Sequence, residues 1–585
     1  MADRSDMNIF VHQGSGRRMS RTALKNAAAI ALFCAVPFNV FAQTVPLPVL
    51  PGAVQPGRDR PAPQVPAQPD FDFSIEAPSR SPVTRAVDQV QFTLKDIQVS
   101  GARTLPPQSL RPLYEKLLGK EVRLRDILDV ADSIEQTYRN HGYILVRAYV
   151  PPQRVRDGVF TINVVEGKIA NVSVEGGTPA TQQKIKAYLR PSLNVAPLPL
   201  ATMERSLLLS NDMPGVGNAT GVLKPAEDIP GASDIVVSVN QPRIQGGLGV
   251  DNRGSRFSGL WTLNGDVQFN SLFGADQLGA MLTTSPDATE QIAGQMRYRG
   301  AIGDNGLIGS LTGTITRGQP GSTLSAFGVI TDSWAVGPRL TWPVIRTRAK
   351  SLQLDAGFTA QEANIEILGS RLSHDVWRVF DVSATYLFSN WLGGAWLASG
   401  GVAQGLPGLG ATSNGSAQLS RRGGHTDFTK LTGQVRYSSI LSDTFSLQLT
   451  GQGQFSSAPL INGELISFGG IGIGRGYDPG GIVGDHGLGG SAELRYDAPF
   501  ANAYVLALQP YAYVDGGQTW YIQRGAAIDP TLTDQHITSL GGGIRMRLPY
   551  SATLGLEVAH TLNAVAGSDA GKRATKFFVT AGKRF

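Results

Sequence analysis

The sequence predicts two small α+β modules followed by a transmembrane antiparallel β-barrel of about 16 strands. Three observations carry that expectation. The 585-residue chain is rich in glycine and poor in charge, with 70 Gly and 17% charged residues, against roughly 25% charged in ordinary soluble domains. It contains no continuous apolar run of 18 or more residues, so no spanning helix is expected. From residue 243 to 585, alternating apolar and polar segments recur between turns rich in Gly, Asn, Asp and Ser, with no helical period. Strands of ~9–11 residues suit a tilted membrane strand, and among strand structures only a closed barrel satisfies every backbone group in a bilayer.

The elements follow in chain order. Arg17, Arg18, Arg21 and Lys25 precede an apolar stretch at 27–36, and Val40-Phe41-Ala42 offers a signal-peptidase site. This predicts a signal peptide over 1–42, cleaved between Ala42 and Gln43. The single cysteine, Cys34, falls inside the apolar stretch, and Phe33 before it is too large for a lipoprotein site. The mature chain would hold no thiol, as suits an oxidising compartment, and a disulfide framework or multi-cysteine metal site is excluded. Half of the net charge of +6 sits in 1–42. What remains forms no concentrated basic face, so no nucleic-acid partner is expected. Pro46, Pro48, Pro51, Pro56, Pro61, Pro63, Pro66 and Pro69 make 43–90 a proline-rich linker with room for only a short plug helix.

Residues 91–167 predict a β-α-α-β-β module. Positions 92–99 alternate as a strand. Pro106-Pro107 opens a helix carrying Leu110, Leu113, Tyr114, Leu117 and Leu118 on one face, stopped by Gly119. A second helix carries Ile127, Val130, Ala131, Ile134 and Tyr138, stopped by Gly142. Strands follow at 144–150 and 159–165. Residues 168–241 repeat the order: a strand through Ala170, Val172 and Val174, helices near 182–189 and 200–211, and strands near 217–223 and 235–239. Tandem use of one unit is the simplest account, and the apolar stripes read as core.

In the 243–585 region, strands are expected at 260–270, 277–284, 291–299, 352–360, 429–438, 445–455 and 554–561, among others. Across 291–298 the even positions are apolar or small and the odd ones mostly polar, which gives one lipid face and one wet face. In the last strand Phe577, Val579, Ala581 and Phe585 share a face, and Lys576, Thr580 and Arg584 share the other. Residues 469–490 are too long for a hairpin turn, and Arg475-Gly476-Tyr477 stands in that loop. Asp515 should share a face with Tyr513; if that face is the lumen, its carboxylate needs a partner. Enzyme readings fail in turn. His-Glu-x-x-His is absent. The run from Gly567 to Lys572 has the wrong spacing for a phosphate loop. Asp485-His486 has no nucleophile motif placed with it and reads as a solvated loop pair. Neither catalysis nor a cofactor or metal is expected.

The arrangement resembles the polypeptide-transport-associated (POTRA) modules and barrel of the TpsB family, the outer-membrane transporters of two-partner secretion, which include haemolysin and filamentous haemagglutinin exporters. Four local matches carry the resemblance. They are Gly142-Tyr143-Ile144-Leu145-Val146-Arg147-Ala148-Tyr149-Val150-Pro151 in the first module, Asp251-Asn252-Arg253-Gly254 with 270–278 at the first hairpin, Gly474-Arg475-Gly476-Tyr477 in the long loop, and Tyr513-Val514-Asp515-Gly516-Gly517 on the barrel wall. The terminal Phe585, with Phe577 and Val579, resembles the C-terminal signal read by the barrel-assembly machinery. The family often has Val where this chain has Gly474, so a more flexible tip is expected. The loop falls between about the eleventh and twelfth strands, in agreement with a 16-stranded barrel.

The resemblance implies a monomeric pore in the outer-membrane bilayer with its modules in the periplasm. Its partner would be a secreted exoprotein with an N-terminal secretion domain, captured unfolded and passed to the cell surface. It also implies that the loop folds into the pore and that Arg475 meets Asp515. A barrel-assembly factor would share the loop but usually carries more modules. A passive channel would have a plug or no modules, against residues 91–241.

Overall fold

The computed structural model describes residues 73–75 and 91–585, apart from 155–157, 227–228, 230, 501 and 529–532. The signal peptide and its expected cleavage between Ala42 and Gln43 lie outside the described residues, as does the possible plug helix.

In the first module a three-stranded sheet takes the order Asp96–Ser100, Val159–Glu166, Val146–Tyr149. The first pair is parallel and the second antiparallel. Helix Leu124–Asn140 buries Ile127, Val130, Ala131, Ile134 and Tyr138 against that sheet. At its start the Asp126 carboxylate accepts from the Arg123 amide at 2.7 Å. It stops where Gly142 adopts φ +86°, a backbone region open to glycine.

Two expectations need correction here. The strand expected at 92–99 is broken at Leu94-Lys95. Gln91–Thr93 pairs with Glu121–Arg123 in a separate ribbon, and only Asp96–Ser100 joins the sheet. The helix expected from Pro106 to Leu118 is α-helical only over Pro107–Leu110 and continues as 3-10 turns at Arg111–Leu113 and Glu115–Leu117. Pro112 is the cause: it lacks the N–H, and its ring clashes with the carbonyl four residues back. Leu110 and Tyr114 still reach the core.

The second module has a four-stranded sheet in the order Phe73–Ile75, Asn218–Pro225, Ala232–Asn240, Lys168–Glu175. Helices Pro179–Leu189 and Leu200–Asp212 supply Ile185, Leu189, Met203 and Leu207 to its core. The outermost strand comes from the segment read as a linker, and it pairs in parallel with Asn218–Pro225.

Sixteen antiparallel strands then close a barrel, from Ile244–Asp251 round to Thr575–Arg584. Leu248, Met296, Ile315, Leu431 and Leu488 are exposed on its outer face, the apolar belt that a bilayer requires. Both chain ends of the barrel lie at the end nearer the modules, here the near end. Three consecutive strands, Ile330–Arg346, Lys350–Ile367 and Ser370–Trp391, have 17, 18 and 22 residues, longer than expected. At the far end the third of these runs on past its pairing with Gly394–Gly405, which begins at Val379 and Gly405. There the next loop, 406–428, backs it: the His374 amide donates to the Gln418 carbonyl at 2.7 Å and the Thr412 amide to that of Val376 at 2.8 Å.

The second module is clamped to the near end. Asp212, closing helix Leu200–Asp212, receives Nε of Arg346 at 2.6 Å and Nη2 at 2.7 Å. Arg205 donates to the Pro343 carbonyl at 2.9 Å, and the Arg348 amide to Glu204 at 2.6 Å. Lys184 donates to the Gly303 carbonyl at 3.1 Å.

Candidate functional site

The eleventh barrel strand, Phe445–Ser456, and the twelfth, His486–Tyr496, are joined by 457–485. Residues 486–490, expected in the loop, are therefore wall. The connection turns into the barrel and forms its own small hairpin, with Ile466–Phe468 paired antiparallel to Ile482–Gly484. The tip 469–481 carries Arg475. Gly474 is seated closely in it: φ is +82°, and an added Cβ would collide with Ile537 and approach the Gly469 backbone within 3.1 Å.

Arg475 is 8% exposed, and its guanidinium is divided between two carboxylates. Nε donates to Asp515 Oδ2 at 3.0 Å, Nη1 to Glu493 Oε2 at 2.6 Å and Nη2 to Ser491 Oγ at 3.0 Å. The plane lies over the Tyr513 ring, 3.3 Å from its centroid. Asp515 also accepts from the Arg475 amide at 3.4 Å and from the Ser539 hydroxyl. Arg475 thus meets Asp515 through Nε and gives the rest of its fork to Glu493 and Ser491. Glu493 is held as well by Arg495 at 2.6 Å and Arg545 at 2.8 Å.

The neighbours of Arg475 are equally specific. The Gly476 amide donates to Ser539 Oγ at 3.2 Å, and a Cβ there would stand 3.0 Å from side-chain carbons of Ser539 and Thr561. The buried Tyr477 hydroxyl lies 2.9 Å from the Thr538 carbonyl and 2.8 Å from both the carbonyl and the side-chain oxygen of Asn563. Gly517 serves by its missing side chain. A Cβ would meet the Phe468 ring at 2.8 Å, as it would at Gly489, so glycines on two adjacent strands form a floor for that ring.

The wall network reaches the first hairpin. The Tyr511 and Tyr513 hydroxyls donate to Glu557 at 2.5 and 2.9 Å, and Arg253 pairs with Glu557 at 2.9 Å. The Arg253 amide donates to Asp251 Oδ1 at 3.0 Å. Asn252 stitches the first strand to the last: its Nδ2 donates to the Phe577 carbonyl at 2.9 Å and its Oδ1 accepts from the Val579 amide at 2.7 Å. Gly254 lies too close to the Gly259 carbonyl to carry a Cβ. Phe577 and Phe585 are 73% and 67% exposed on the outer face, at opposite ends of their strand. Phe585 exchanges two 3.0 Å backbone hydrogen bonds with Gly246.

A second buried arginine went unseen in the sequence. Arg421, in the far-end loop 406–428, donates from Nη1 to both oxygens of Asp485 at 2.7 and 2.8 Å. Asp485 also accepts from the Leu460 amide at 2.6 Å and the Ile522 amide at 2.7 Å. At 0% exposure it is no solvated loop residue; its flanking glycines gave the wrong impression. Nearby, Trp377 and Lys430 both reach Glu464 of the inward loop, at 2.7 and 2.8 Å. Glu493 was readable in principle: a carboxylate on an alternating barrel strand belongs in the lumen, and register sets its strand beside that of Asp515.

Comparisons with known proteins agree with this architecture. A model of the ShlB-type POTRA domain matches residues 92–167, and one for haemolysin secretion/activation protein ShlB/FhaC/HecB matches residues 231–546. The heme/hemopexin transporter protein HuxB of Haemophilus influenzae (strain 86-028NP) is 22% identical over 517 residues, 85% of this chain and 88% of that protein. Outer membrane transporter CdiB of Escherichia coli is 26% identical over 184 residues, 31% of each chain. Among solved structures, CdiB from Escherichia coli gives a TM-score of 0.65 at 20% identity, covering 87% of this chain and 93% of that one. BamA from Haemophilus ducreyi lacking POTRA domains 1-3 gives 0.51 at 14% identity, covering 84% and 100%; both structural likenesses speak to fold alone. Modules, barrel and inward loop stand here in one chain, and the family model spans more than half of it: the protein belongs to the haemolysin secretion/activation family ShlB/FhaC/HecB, the outer-membrane transporters of two-partner secretion.

Proposed function

We propose that the periplasmic modules, 91–167 and 168–241, capture an unfolded exoprotein through its N-terminal secretion domain and deliver it into the lumen. The inward loop is the resting closure, and Arg475 with Asp515 and Glu493 is the catch that holds it to the wall. The observation behind this reading is the division of one buried guanidinium between two wall carboxylates. Charge-assisted bonds of that kind are strong where water is scarce, yet each wall carboxylate keeps another donor and so tolerates release of the loop. Gly476, Tyr477 and Gly517 shape the seat of the loop. Asp251, Asn252 and Gly254 close the barrel seam, and Phe577, Val579 and Phe585 form the outer face read by the barrel-assembly machinery. The working unit is one barrel, and transport rather than covalent chemistry is its activity.

Co-expression with a candidate exoprotein tests this, with export into the medium as readout. Deleting 91–167 should leave the barrel in the outer membrane and abolish export; normal export would refute capture by that module. An assembly factor predicts a different outcome, loss of other outer-membrane barrels when the protein is removed.

A further inference from the structure

Inward-facing charges are unequally matched around the barrel. On the wall where the loop sits, Glu493, Asp515 and Glu557 are each met by an arginine. The strand Ile292–Ile302 differs. Met296 and Tyr298 are exposed on its outer face, so Arg297 and Arg299 face the lumen, and both are half-buried. Among the described residues their hydrogen bonds go to neutral oxygens: Arg297 Nε to Thr312 Oγ1 at 3.2 Å, and Arg299 Nη1 to Gln277 Oε1 at 3.5 Å. Gly279 faces Arg297 across one strand pair, and Gly337 follows Thr312 on the other side, which leaves room beside the guanidinium.

The acids nearby are already spent. Arg339 stands level with Arg299, two strands on. It turns away, crossing Gly357 to hold both oxygens of Asp381 at 3.0 and 2.8 Å. An added Cβ on Gly357 would stand 2.8 Å from that guanidinium, so the missing side chain permits the crossing. Asp355 accepts from Thr341 at 2.6 Å and from Gln353 at 2.9 Å. Asp212, whose charge acts on Arg299, has both oxygens taken by Arg346. Arg297 meanwhile lies in the field of two like charges, Arg299 and Arg339.

We propose that Arg297 and Arg299 form a two-point acceptor for carboxylates at alternate positions of an extended chain entering the lumen. The inference rests on the transport reading and adds what the pore wall reads in the passing chain. A guanidinium offers paired donors that match a carboxylate, and each of these two keeps most of its donors unspent. The spacing is the chain's own. Alternate side chains on a strand stand about 7 Å apart, and so do those of any extended polypeptide beside it. Acids at i and i+2 reach both cations together, whereas acids at i and i+1 point to opposite sides. Two like charges held side by side in a partly desolvated wall repel, and an incoming pair of carboxylates relieves that repulsion. Arg299 lies close to the near end of its strand, beside the clamp that joins module to barrel, so a chain leaving the modules meets it at the entrance.

The purified full-length protein and three labelled peptides test this. One peptide alternates Asp and Ser over twelve residues, a second has the same composition with its acids in adjacent pairs, and a third alternates Lys and Ser. The alternating acidic peptide should bind at least threefold more tightly than the paired one, and the lysine peptide least. Arg297→Gln and Arg299→Gln should each weaken the alternating acidic peptide at least threefold, and together at least tenfold, with barrel yield unchanged. Arg317→Gln, at a solvent-exposed arginine on another strand, should leave it unaltered. Arg297→Glu with Arg299→Glu should transfer the preference to the lysine peptide. Equal affinity in the wild type and the double Gln variant, indifference to the spacing of the acids, or equal displacement by inorganic phosphate at the same total charge would each overturn the proposal. A wild-type protein that exports no partner would instead sink the transport reading, and peptide binding would still report on the wall.

Discussion

Arg475 and Arg421 are both buried, and both arrive on loops, yet they are held in opposite ways. Arg475 joins the inward loop to the barrel wall through two carboxylates, and the wall supplies substitutes: Glu493 keeps Arg495 and Arg545, and Asp515 keeps Ser539. Arg421 joins loop to loop. Its anion, Asp485, also gathers the amides of Leu460 and Ile522, so one carboxylate unites three far-end segments. A shared network spreads the loss of any member. A single hub concentrates it.

The largest effect is therefore expected at the hub. Asp485→Ala leaves Arg421 with the Leu460 and Ile522 carbonyls at 3.4 and 3.2 Å, and stranding a buried charge costs ~3–5 kcal/mol. Protease cleavage within loop 406–428 of the purified protein should accelerate about a hundredfold, which corresponds to roughly 3 kcal/mol at 1.4 kcal/mol per tenfold. Unchanged cleavage would show that the far end is held by packing around Trp377 and Phe428 instead.

Arg475→Ala should cost less, on the order of 1.5–3 kcal/mol for the charged hydrogen bonds lost, because the wall anions keep partners. Export should fall while barrel yield holds. Asp515→Ala should do the same, and the double variant should be no worse than the more severe single, since both break one unit. Arg475→Lys should not restore export, because an ammonium cannot divide itself as the guanidinium fork does. If Arg475→Ala loosens its loop as much as Asp485→Ala loosens the far end, the distinction between network and hub fails.

Gly517→Ala probes the seat without touching a charge. The new methyl meets the Phe468 ring, and overpacking of this kind costs ~1–3 kcal/mol. Hydrogen exchange of the hairpin 466–484 should quicken; if it does not, the ring has room to shift.

The smallest effect concerns a carboxylate held by neutral donors alone, outside the membrane. Burial pushes Glu166 up, but the Thr104 amide, the Tyr138 hydroxyl and the Arg103 amide outweigh it and hold its carboxyl below the ordinary value. A depressed acid stabilises the fold above its unfolded pKa, about 4.3, and that contribution is lost as pH falls through the lower folded value. Exchange protection at Thr104 should drop as pH falls below that unfolded value in the wild type. Glu166→Gln should show no such step, and a step that persists would place the titration elsewhere.

Much of this was legible in the sequence, and what was not has physical reasons. The barrel was, because lipid enforces a period of two along strands such as Ile292–Ile302. The Arg475–Asp515 contact was legible only through family resemblance, since nothing local ties residues 40 apart. Glu493 escaped because many lumen positions are polar and one strand does not reveal its register with the next. Asp485 misled because glycines beside a charge look solvated. The break at Pro112 was written in the chain and was outvoted by the leucine stripe. Phe73–Ile75 was not readable: three residues between prolines carry no measurable period.

The far end of the seam between first and last strands turns on a distinction one atom wide. The Asn252 amide works as a surrogate peptide group, giving a proton to Phe577 and taking one from Val579. Hydrolysis of that amide to a carboxylate would set oxygen against the Phe577 carbonyl and leave the Val579 contact intact. The closing joint would become half fastener and half repulsion with no change in shape. The far end of the seam can then age at one side chain while the backbone ladder from Gly247 to Asp251 still holds the rest, and Asn252→Asp is the aged protein made in advance.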